Sequence, residues 1–218
     1  RTGAAGGIAA KYLANKGSKR IALVGCGAQA ETQLMALNEL FALEAVSIYD
    51  RVEAHAAAFI KKTRSLGITI KKYASIEECV KGVDILVTTT PSRKPIVKSS
   101  WIAAGVHINA IGADAKGKEE LEPALLKRAK VVVDDIPQAV HSGEINVPLA
   151  KHLFKEKEIY GSLGEIIAGK KKGRVARDEI TVFDSTGLAI LDVAVAHYVY
   201  TQAIKRLRRK KLRSVCLN

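Results

Sequence analysis

A short apolar run that leads straight into a glycine-rich turn is the feature that most constrains how this chain can fold. Residues 20–24 read Arg-Ile-Ala-Leu-Val, and Gly25-Cys26-Gly27-Ala28-Gln29-Ala30 follows at once, before a helix-forming stretch. A strand, this turn and a helix in direct succession form the fingerprint of a dinucleotide-binding βαβ unit, in which alanine is tolerated at the third glycine position. The alternative is a glycine turn of purely structural use, and the complete context favours the dinucleotide site.

Each small residue of this turn has its own physical role in such a site. Gly25 permits the tight turn, and Gly27 lets the backbone approach a pyrophosphate because it has no side chain. The backbone N–H groups of Ala28 and Gln29, at the start of the helix, are expected to face phosphate oxygens. The turn therefore predicts where the phosphates of a dinucleotide bind.

The end of the second predicted strand indicates which dinucleotide is preferred. Asp50 follows that strand, about twenty residues after the turn, where an acid accepts hydrogen bonds from the adenosine ribose hydroxyls. A carboxylate there repels a ribose phosphate, which favours NAD over NADP. The neighbouring Arg51 can bind a phosphate or stack on adenine, so NADP remains an alternative.

Strand and helix patterns alternate along most of the chain. The predicted strands are Arg20–Val24, Ala45–Tyr49, Ile68–Lys72, Val83–Thr88, Val106–Ile111, Lys130–Val133 and Glu179–Phe183. The predicted helices are Thr2–Asn15, Ala28–Leu43, Val52–Leu66, a short one from Ser75, Lys118–Ala129, Leu163–Ala168 and Thr186 to about Arg209, with residues 135–160 irregular. This order predicts an α/β protein with a Rossmann-type, doubly wound, mostly parallel sheet and flanking helices.

Composition supports this fold class and a single domain over residues 1–218. Hydrophobic residues make up 48% and aromatic residues only 5%, which suits a sheet of small aliphatic side chains covered on both faces. The predicted core is residues 18–184. Outside this core, the long helix from Thr186 has an apolar stripe that must pack on something. That stripe is Leu188, Leu191, Val195, Val199 and Ala203.

Charge, cysteines and histidines limit the other classes of function. The net charge is +13, but basic residues are scattered except between Lys205 and Arg213, where a solvated helix end is favoured over a nucleic-acid contact. No apolar run is long enough to span a membrane. The three cysteines lack CxxC spacing, which predicts free thiols in the cytoplasm. The five histidines lack the spacing of metal ligands, so we predict no metal.

The predicted ends of three further strands hold the candidate chemical residues. Thr88 and Thr90 suit contact with a nicotinamide ribose, although each is equally consistent with an ordinary strand end. Asp114, in the loop after the fifth strand, is a candidate general acid/base, the alternative being a helix cap. Ser185 joins the last strand to the long helix, where it either caps that helix or contacts the cofactor.

At these residues the chain resembles the ornithine cyclodeaminase/μ-crystallin family, and most closely its archaeal alanine dehydrogenase branch. The resemblance covers nearly the whole chain in order. The matching segments are Arg1-Thr2-Gly3-Ala4, Gly25–Gln29, Val83–Thr90, Asn109–Asp114, Gly117–Leu121, Gly143-Glu144-Ile145, Gly164-Glu165 and Phe183–Ala189.

The resemblance implies a role for individual positions. Asp114 matches the acid/base near the amine-bearing carbon, and this position is not acidic in μ-crystallins, which favours an enzyme. Arg1 matches an arginine near the phosphates and the substrate carboxylate, where a bidentate fork is suitable, and Thr2 matches a phosphate contact. The candidate cofactor contacts are Arg1, Thr2, Gly25, Gly27, Ala28, Gln29, Asp50, Arg51, Thr88, Thr90, Ile111, Gly112, Ala113, Lys118 and Ser185.

The resemblance also implies an activity and a departure from the family pattern. We expect NAD-dependent oxidative deamination of a small amino acid, L-alanine to pyruvate and ammonia. Ornithine cyclodeaminase and imine reductase are alternatives, and a non-catalytic binding protein of the μ-crystallin type is an alternative of another class. Family members carry an N-terminal substrate and dimerisation segment before Arg1, and the resemblance implies that the helices at 2–16 and 186–210 pack toward it. This chain alone is therefore expected to bind NAD without turnover, and the homodimer to form through that segment.

Overall fold

The computed structural model describes the backbone of residues 1–215 and the side chains of residues 1–207. The strands within these limits are β1 (Arg20–Val24), β2 (Ala45–Tyr49), β3 (Thr69–Lys72), β4 (Ile85–Thr88), β5 (Arg93–Val97), β6 (His107–Ala110), β7 (Glu119–Leu121), β8 (Ala129–Val133), β9 (Ile159–Ser162) and β10 (Ile180–Asp184). The helices are α1 (Thr2–Leu13), α2 (Ala28–Asn38), α3 (Glu53–Thr63), α4 (Ile76–Cys79), α5 (Pro123–Arg128), α6 (Ile136–Ser142), α7 (Asn146–Ala150), α8 (Leu163–Ile167) and α9 (Ala189–Val215).

Eight strands pair in one parallel sheet with the order β3-β2-β1-β4-β6-β10-β8-β9. The chain winds outward from β1 to β3, returns to the middle at β4, and continues on the other side. This reversal between β1 and β4 is the switch point at which doubly wound sheets bind ligands. The predicted fold class is confirmed, and the short parallel pair β5–β7 lies outside the main sheet.

Both faces of the sheet are buried, as the aliphatic composition indicates. Alternate residues of β1 supply the two cores: Ile21 and Leu23 belong to one apolar cluster, and Ala22 and Val24 to the other. This alternation follows from the two-residue period of a strand, whose successive side chains point to opposite faces. A buried strand of this kind needs apolar residues at every position, which β1 has after Arg20.

The predicted helix Lys118–Ala129 is wrong in its first half. Glu119–Leu121 forms strand β7 beside β5, and the helix begins only at Pro123. The N–H groups of Glu120 and Leu121 donate to the Glu144 carboxylate, so a contact distant in sequence overrides the local helical pattern.

Other differences concern element ends and the stretch predicted to be irregular. Helix α2 ends at Asn38 and not at Leu43, and the long helix begins at Ala189 and not at Thr186. Strand β5 was not predicted, and residues 135–160 contain α6, α7 and the start of β9. Cys216 and the side chains of Arg208–Arg213, which carry part of the predicted basic cluster, lie outside the described residues.

The chain divides into two compact units, Thr2–Thr186 and a second unit of Gly187–Asn218 with Arg1. Within the second unit the Arg1 guanidinium pairs with Asp192. Several large apolar side chains of α9 are exposed. Among the helices of the described residues, none is both long and apolar enough to cross a bilayer. That the terminal helices pack toward a further domain stays a prediction.

Helix α1 packs closely along α2 because glycines line its contact face. Gly6 lies against Gln33, a fully buried side chain whose Nε2 donates to the Thr2 carbonyl at 3.0 Å. A Cβ atom on Gly6 would lie 2.0 Å from Gln33 Oε1. The residue at this position must therefore be glycine for the two helices to keep their spacing.

We expect Gly6→Ala to lower the free energy of unfolding by about 2 kcal/mol, because the methyl group overpacks this contact. Urea unfolding followed by circular dichroism measures the change. Gly17→Ala is the control, since a Cβ there meets nothing within 4 Å. Equal stability of Gly6→Ala and the wild type would show that α1 can move away from α2 at no cost.

Candidate functional site

The structure brings the predicted site residues of the first unit to one edge of the sheet. Gly25, Asp50, Ile111 and Ser185 each come directly after a strand of that sheet, namely β1, β2, β6 and β10. Thr90 follows β4 by two residues. The carboxyl ends of parallel strands share an edge, so positions far apart in sequence meet around the switch point.

The glycine-rich turn has the geometry that a phosphate site requires. Gly25 adopts a φ of 96°, and its added Cβ would come within 3.0 Å of backbone and side-chain atoms of Thr89. Gly27 caps α2, and nothing lies within 4 Å of its Cβ position. Ala28 and Gln29 are exposed, so the first N–H groups of α2 open onto free space. These N–H groups can donate hydrogen bonds to the oxygens of a phosphate.

Asp50 is anchored beside this turn and is only 12% exposed at its side chain. Its carboxylate accepts hydrogen bonds from the N–H groups of Cys26 and Val52, both at 2.8 Å. His55 Nδ1 lies 3.5 Å from Oδ1. Oδ2, which accepts from the N–H of Cys26, keeps a lone pair for a ribose hydroxyl, and Arg51 is exposed next to Asp50.

Asp114 and Lys118 form an ion pair in the loop after β6, with 2.5 Å between Oδ1 and Nζ. The Asp114 side chain is 57% exposed and that of Lys118 is 21% exposed. The loop continues into β7 and not into a helix, so Asp114 is not a helix cap. An accessible carboxylate beside an ammonium group can take up or release a proton at this edge.

Three candidate residues point their side chains away from the open side of the edge. Thr88 is fully buried as the last residue of β4, and Ile111 and Ala113 are nearly so, which leaves only their backbones for a ligand. This corrects the prediction that the Thr88 hydroxyl contacts a ribose. The reason is that the strand's alternation turns this side chain into the core.

Ser185 and Thr90 have hydroxyl partners within the protein. The Ser185 hydroxyl lies 3.4 Å from the Asp134 carboxylate, and Ser185 N–H donates to the Ala110 carbonyl at 3.0 Å. Ser185 therefore ties β10 to β6 and does not cap α9. The Thr90 hydroxyl donates to Glu120 at 2.6 Å.

A series of buried carboxylates supports the edge from beneath, and the sequence analysis missed it. Asp184 accepts the N–H groups of Glu144 and Ile145, at 2.9 and 3.3 Å. Glu144 accepts the N–H groups of Glu120 and Leu121, at 2.8 and 2.6 Å. Each carboxylate thus holds the backbone of the next acid, and all three side chains are fully buried.

Glu120, the last member of this series, joins the two loops of the candidate site. Its Oε1 accepts the N–H of Thr90 at 2.6 Å, and its Oε2 accepts the N–H of Gly112 at 3.0 Å. We refer to residues 89–92 as the β4 loop and residues 111–118 as the β6 loop. This carboxylate therefore bridges the two loops, beside the N–H groups of Ile111 and Gly112, which donate to the Thr88 carbonyl at 3.0 and 3.2 Å.

Burial raises the pKa of all three acids, and neighbouring negative charges add to this for Asp184 and Glu144. Burial raises the pKa of Asp184 to about 7, and the Asp134 charge adds to this, against the two backbone N–H groups. The pKa of Glu144 is well above its usual range because of burial and the charges of Glu120 and Asp184. Burial also raises the pKa of Glu120.

Neither described cysteine has the chemistry of a nucleophile. Burial raises the pKa of the Cys26 thiol to about 12, with the Asp50 charge adding to it, and burial also raises the pKa of Cys79 to about 12. Both thiols are free and protonated at neutral pH. Among the described residues, no three histidine, cysteine, aspartate or glutamate side chains are placed to hold a metal ion.

The chain is similar to known proteins over almost its whole length. The sequence model of the ornithine cyclodeaminase/mu-crystallin family matches residues 1–206. Alanine dehydrogenase of Archaeoglobus fulgidus is 52% identical over 208 residues, which are 94% of this chain and 63% of that protein. The chain thus spans less than two thirds of the length of this relative.

Two solved structures have the same fold over 94% of the chain. An archaeal alanine dehydrogenase dimer with bound NAD is 52% identical, with a TM-score of 0.91, and 64% of its chain is matched. The Δ1-pyrroline-2-carboxylate reductase of Thermococcus litoralis, in complex with NADH and L-proline, is 40% identical, with a TM-score of 0.90, and 64% of its chain is matched.

Proposed function

Because this chain belongs to the ornithine cyclodeaminase/mu-crystallin family, we propose that it is the dinucleotide-binding part of an NAD-dependent enzyme that oxidatively deaminates a small L-amino acid. L-Alanine, which gives pyruvate and ammonia, is the first candidate substrate. The observation that carries the proposal is the Asp114–Lys118 pair, which lies at the same sheet edge as the open glycine-rich turn. An acid/base group and a phosphate cradle at one switch point suit a dehydrogenase.

The residues around the turn fit a dinucleotide. The open backbone N–H groups of Ala28 and Gln29 would hold the pyrophosphate, and Asp50 would accept hydrogen bonds from the adenosine ribose. The Asp50 charge supports NAD over NADP, with Arg51 keeping NADP as the alternative. Bound here, the dinucleotide would supply a nicotinamide ring as the acceptor of the hydride from the substrate α-carbon.

The proposed proton chemistry belongs to Asp114. Loss of hydride from the α-carbon leaves an imine, and water must add to that imine before ammonia can leave. Asp114 would relay both protons of this water to the imine nitrogen in turn, the first as the hydroxyl adds to the carbon and the second as the C–N bond breaks and the carbonyl forms, so that the nitrogen leaves as ammonia. Lys118 would hold the carboxylate in place through its 2.5 Å ion pair. The exposure of Asp114 leaves room for the substrate carbon beside it.

The remainder of the enzyme is also part of the proposal. The A. fulgidus relative has about a third of its length outside the matched region, and we propose that a corresponding segment supplies substrate contacts with Arg1 and the homodimer interface. The exposed apolar side chains of α9, such as Val193 and Tyr198, support packing of this helix on such a segment. Free thiols at Cys26 and Cys79 fit the cytoplasm.

Other activities of the family remain as second candidates. A cyclodeaminase would use the same hydride transfer, close the imine with a side-chain amine, and return the hydride, so NAD would be recycled. An imine reductase would run the hydride transfer in the opposite direction. A μ-crystallin-type binding protein would need no acid/base, and the accessible Asp114 is the feature that counts against it.

The deciding experiment uses the longest natural form of the protein that contains this sequence. With NAD and L-alanine, we expect steady growth of absorbance from reduced nicotinamide. NAD binding without accumulation would redirect the assay to ornithine and the formation of proline. The chain of residues 1–218 alone is expected to bind NAD and show no turnover, and turnover by it would refute the need for a further segment.

A further inference from the structure

We propose that Glu120 is a positioning residue whose buried carboxylate sets the spacing between the β4 loop and the β6 loop for the nicotinamide end of the dinucleotide. This inference rests on the proposed function. If adenosine lies toward Asp50 at the end of β2, the dinucleotide crosses the switch point and its other end lies over β4 and β6. The loops that Glu120 joins are the ones at that end.

The backbones of the two loops are closely packed where Glu120 joins them. Glu120 accepts the N–H groups of Thr90 and Gly112, one on each oxygen. A Cβ on Gly112 would lie 2.2 Å from the Thr90 carbonyl oxygen, so the two backbones already touch. A carboxylate that binds both donors therefore holds Thr90 beside Gly112, which lies two residues before Asp114.

The backbone of Glu120 is itself held by a hydrogen bond. Its N–H donates to Glu144, whose own N–H donates to Asp184. A buried hydrogen bond of this kind is lost, at a cost, when the accepting oxygen is replaced by a donor. The series thus transmits the position of the end of β10 to the two loops.

Glu119 provides a matched control at the adjacent position. It is 1% exposed, but neither carboxylate oxygen has a hydrogen-bond partner among the described residues, and Lys151 Nζ is 3.7 Å away. Successive side chains of β7 point to opposite faces, so Glu119 turns away from Glu120's partners. Glu119→Gln makes the same chemical change as Glu120→Gln, with the side-chain volume kept, and does not alter the contact between the loops.

The test compares the binding of NADH and of ADP-ribose, which lacks the nicotinamide ring. In Glu120→Gln the new NH2 group faces an N–H donor of Thr90 or Gly112, which separates the loops. We expect NADH affinity to fall about tenfold, while ADP-ribose affinity stays within about twofold. NADH binding is followed by its fluorescence and ADP-ribose by displacement of NADH. Glu119→Gln should leave both affinities unchanged.

A second variant acts one step further from the site. Glu144→Gln weakens the hold on the backbone of Glu120, and we expect a smaller shift of the NADH to ADP-ribose affinity ratio in the same direction. Both variants should also lower kcat more than they raise KM, because the ring would be bound out of line.

The outcomes separate this inference from the proposed function. A wild-type protein that binds neither NADH nor ADP-ribose would overturn both. Equal weakening of the two molecules by Glu120→Gln, or no weakening of either, would overturn only the positioning role. Loss of soluble protein in both Glu120→Gln and Glu144→Gln would assign the series to folding and also overturn it.

Discussion

Asp114→Asn is expected to lower turnover by about a thousandfold and to leave NAD affinity within twofold of the wild type. General acid/base catalysis contributes about 10²–10⁴ to the rate, and asparagine cannot exchange a proton. Its shape is the same and its amide oxygen can still accept from Lys118, whose Nζ lies 2.5 Å from the carboxylate. Steady-state assays give the turnover, and calorimetric titration gives the affinity for NAD.

The control for this prediction is a second exposed aspartate remote from the edge. Asp178 lies two residues before β10 begins, at the opposite end of the strand, and Asp178→Asn should change neither quantity. An Asp114→Asn enzyme that keeps full turnover would show that another group moves the proton. A wild-type protein without turnover whose ligand affinities are unchanged by Asp114→Asn would favour the binding-protein alternative.

The parts of the fold that the sequence predicted well depend on local pattern. Strands β1 and β2 are apolar or alternating runs bounded by clear turns, and the structure has them at the predicted residues. Ser75 caps its helix by accepting the N–H of Glu78, as the local sequence indicates. The prediction failed at strand β7, because three residues of helical character are held extended by hydrogen-bond partners elsewhere in the chain.

The residues of the candidate site also divide into those that a local pattern predicted and those that depend on distant contacts. Gly25, Asp50 and Asp114 were found because each sits at a strand end in a recognisable pattern. Glu120 and Glu144 were not, because their hydrogen-bond partners lie 30 and 24 residues away in sequence. The available signal was chemical: acids in apolar segments are rarely buried unless they are paired or hydrogen-bonded.

The second large expected effect concerns stability against pH and Asp184. Its pKa in the folded protein is about 7, against about 3.9 for an unfolded aspartate. Between these values the folded state keeps a proton that the unfolded state has released, so the free energy of unfolding falls as pH rises. Three pKa units correspond to about 4 kcal/mol for this single buried group. The raised pKa values of Glu120 and Glu144 act in the same direction.

Asp184→Asn is therefore expected to flatten the stability profile between about pH 4 and pH 7, the unfolded and folded pKa values of this group. At pH 5 the variant should be less stable than the wild type by about 1 kcal/mol, because its NH2 group faces the N–H of Glu144 or Ile145. At pH 8 the order should reverse, because the variant carries no buried charge and relieves the repulsion on Glu144. Urea unfolding at each pH gives both values.

Opposing groups set the limits of this prediction. Lys130 and two backbone N–H groups lower the pKa of Glu179 against its burial, so Glu179 contributes stability that is present above its unfolded pKa and lost in acid. That loss occurs below the window in which Asp184 titrates, and it remains in the Asp184→Asn variant. Asp178→Asn should have the wild-type profile. If Asp184→Asn keeps the wild-type slope between about pH 4 and pH 7, Asp184 is ionised throughout this range and its two backbone donors outweigh its burial.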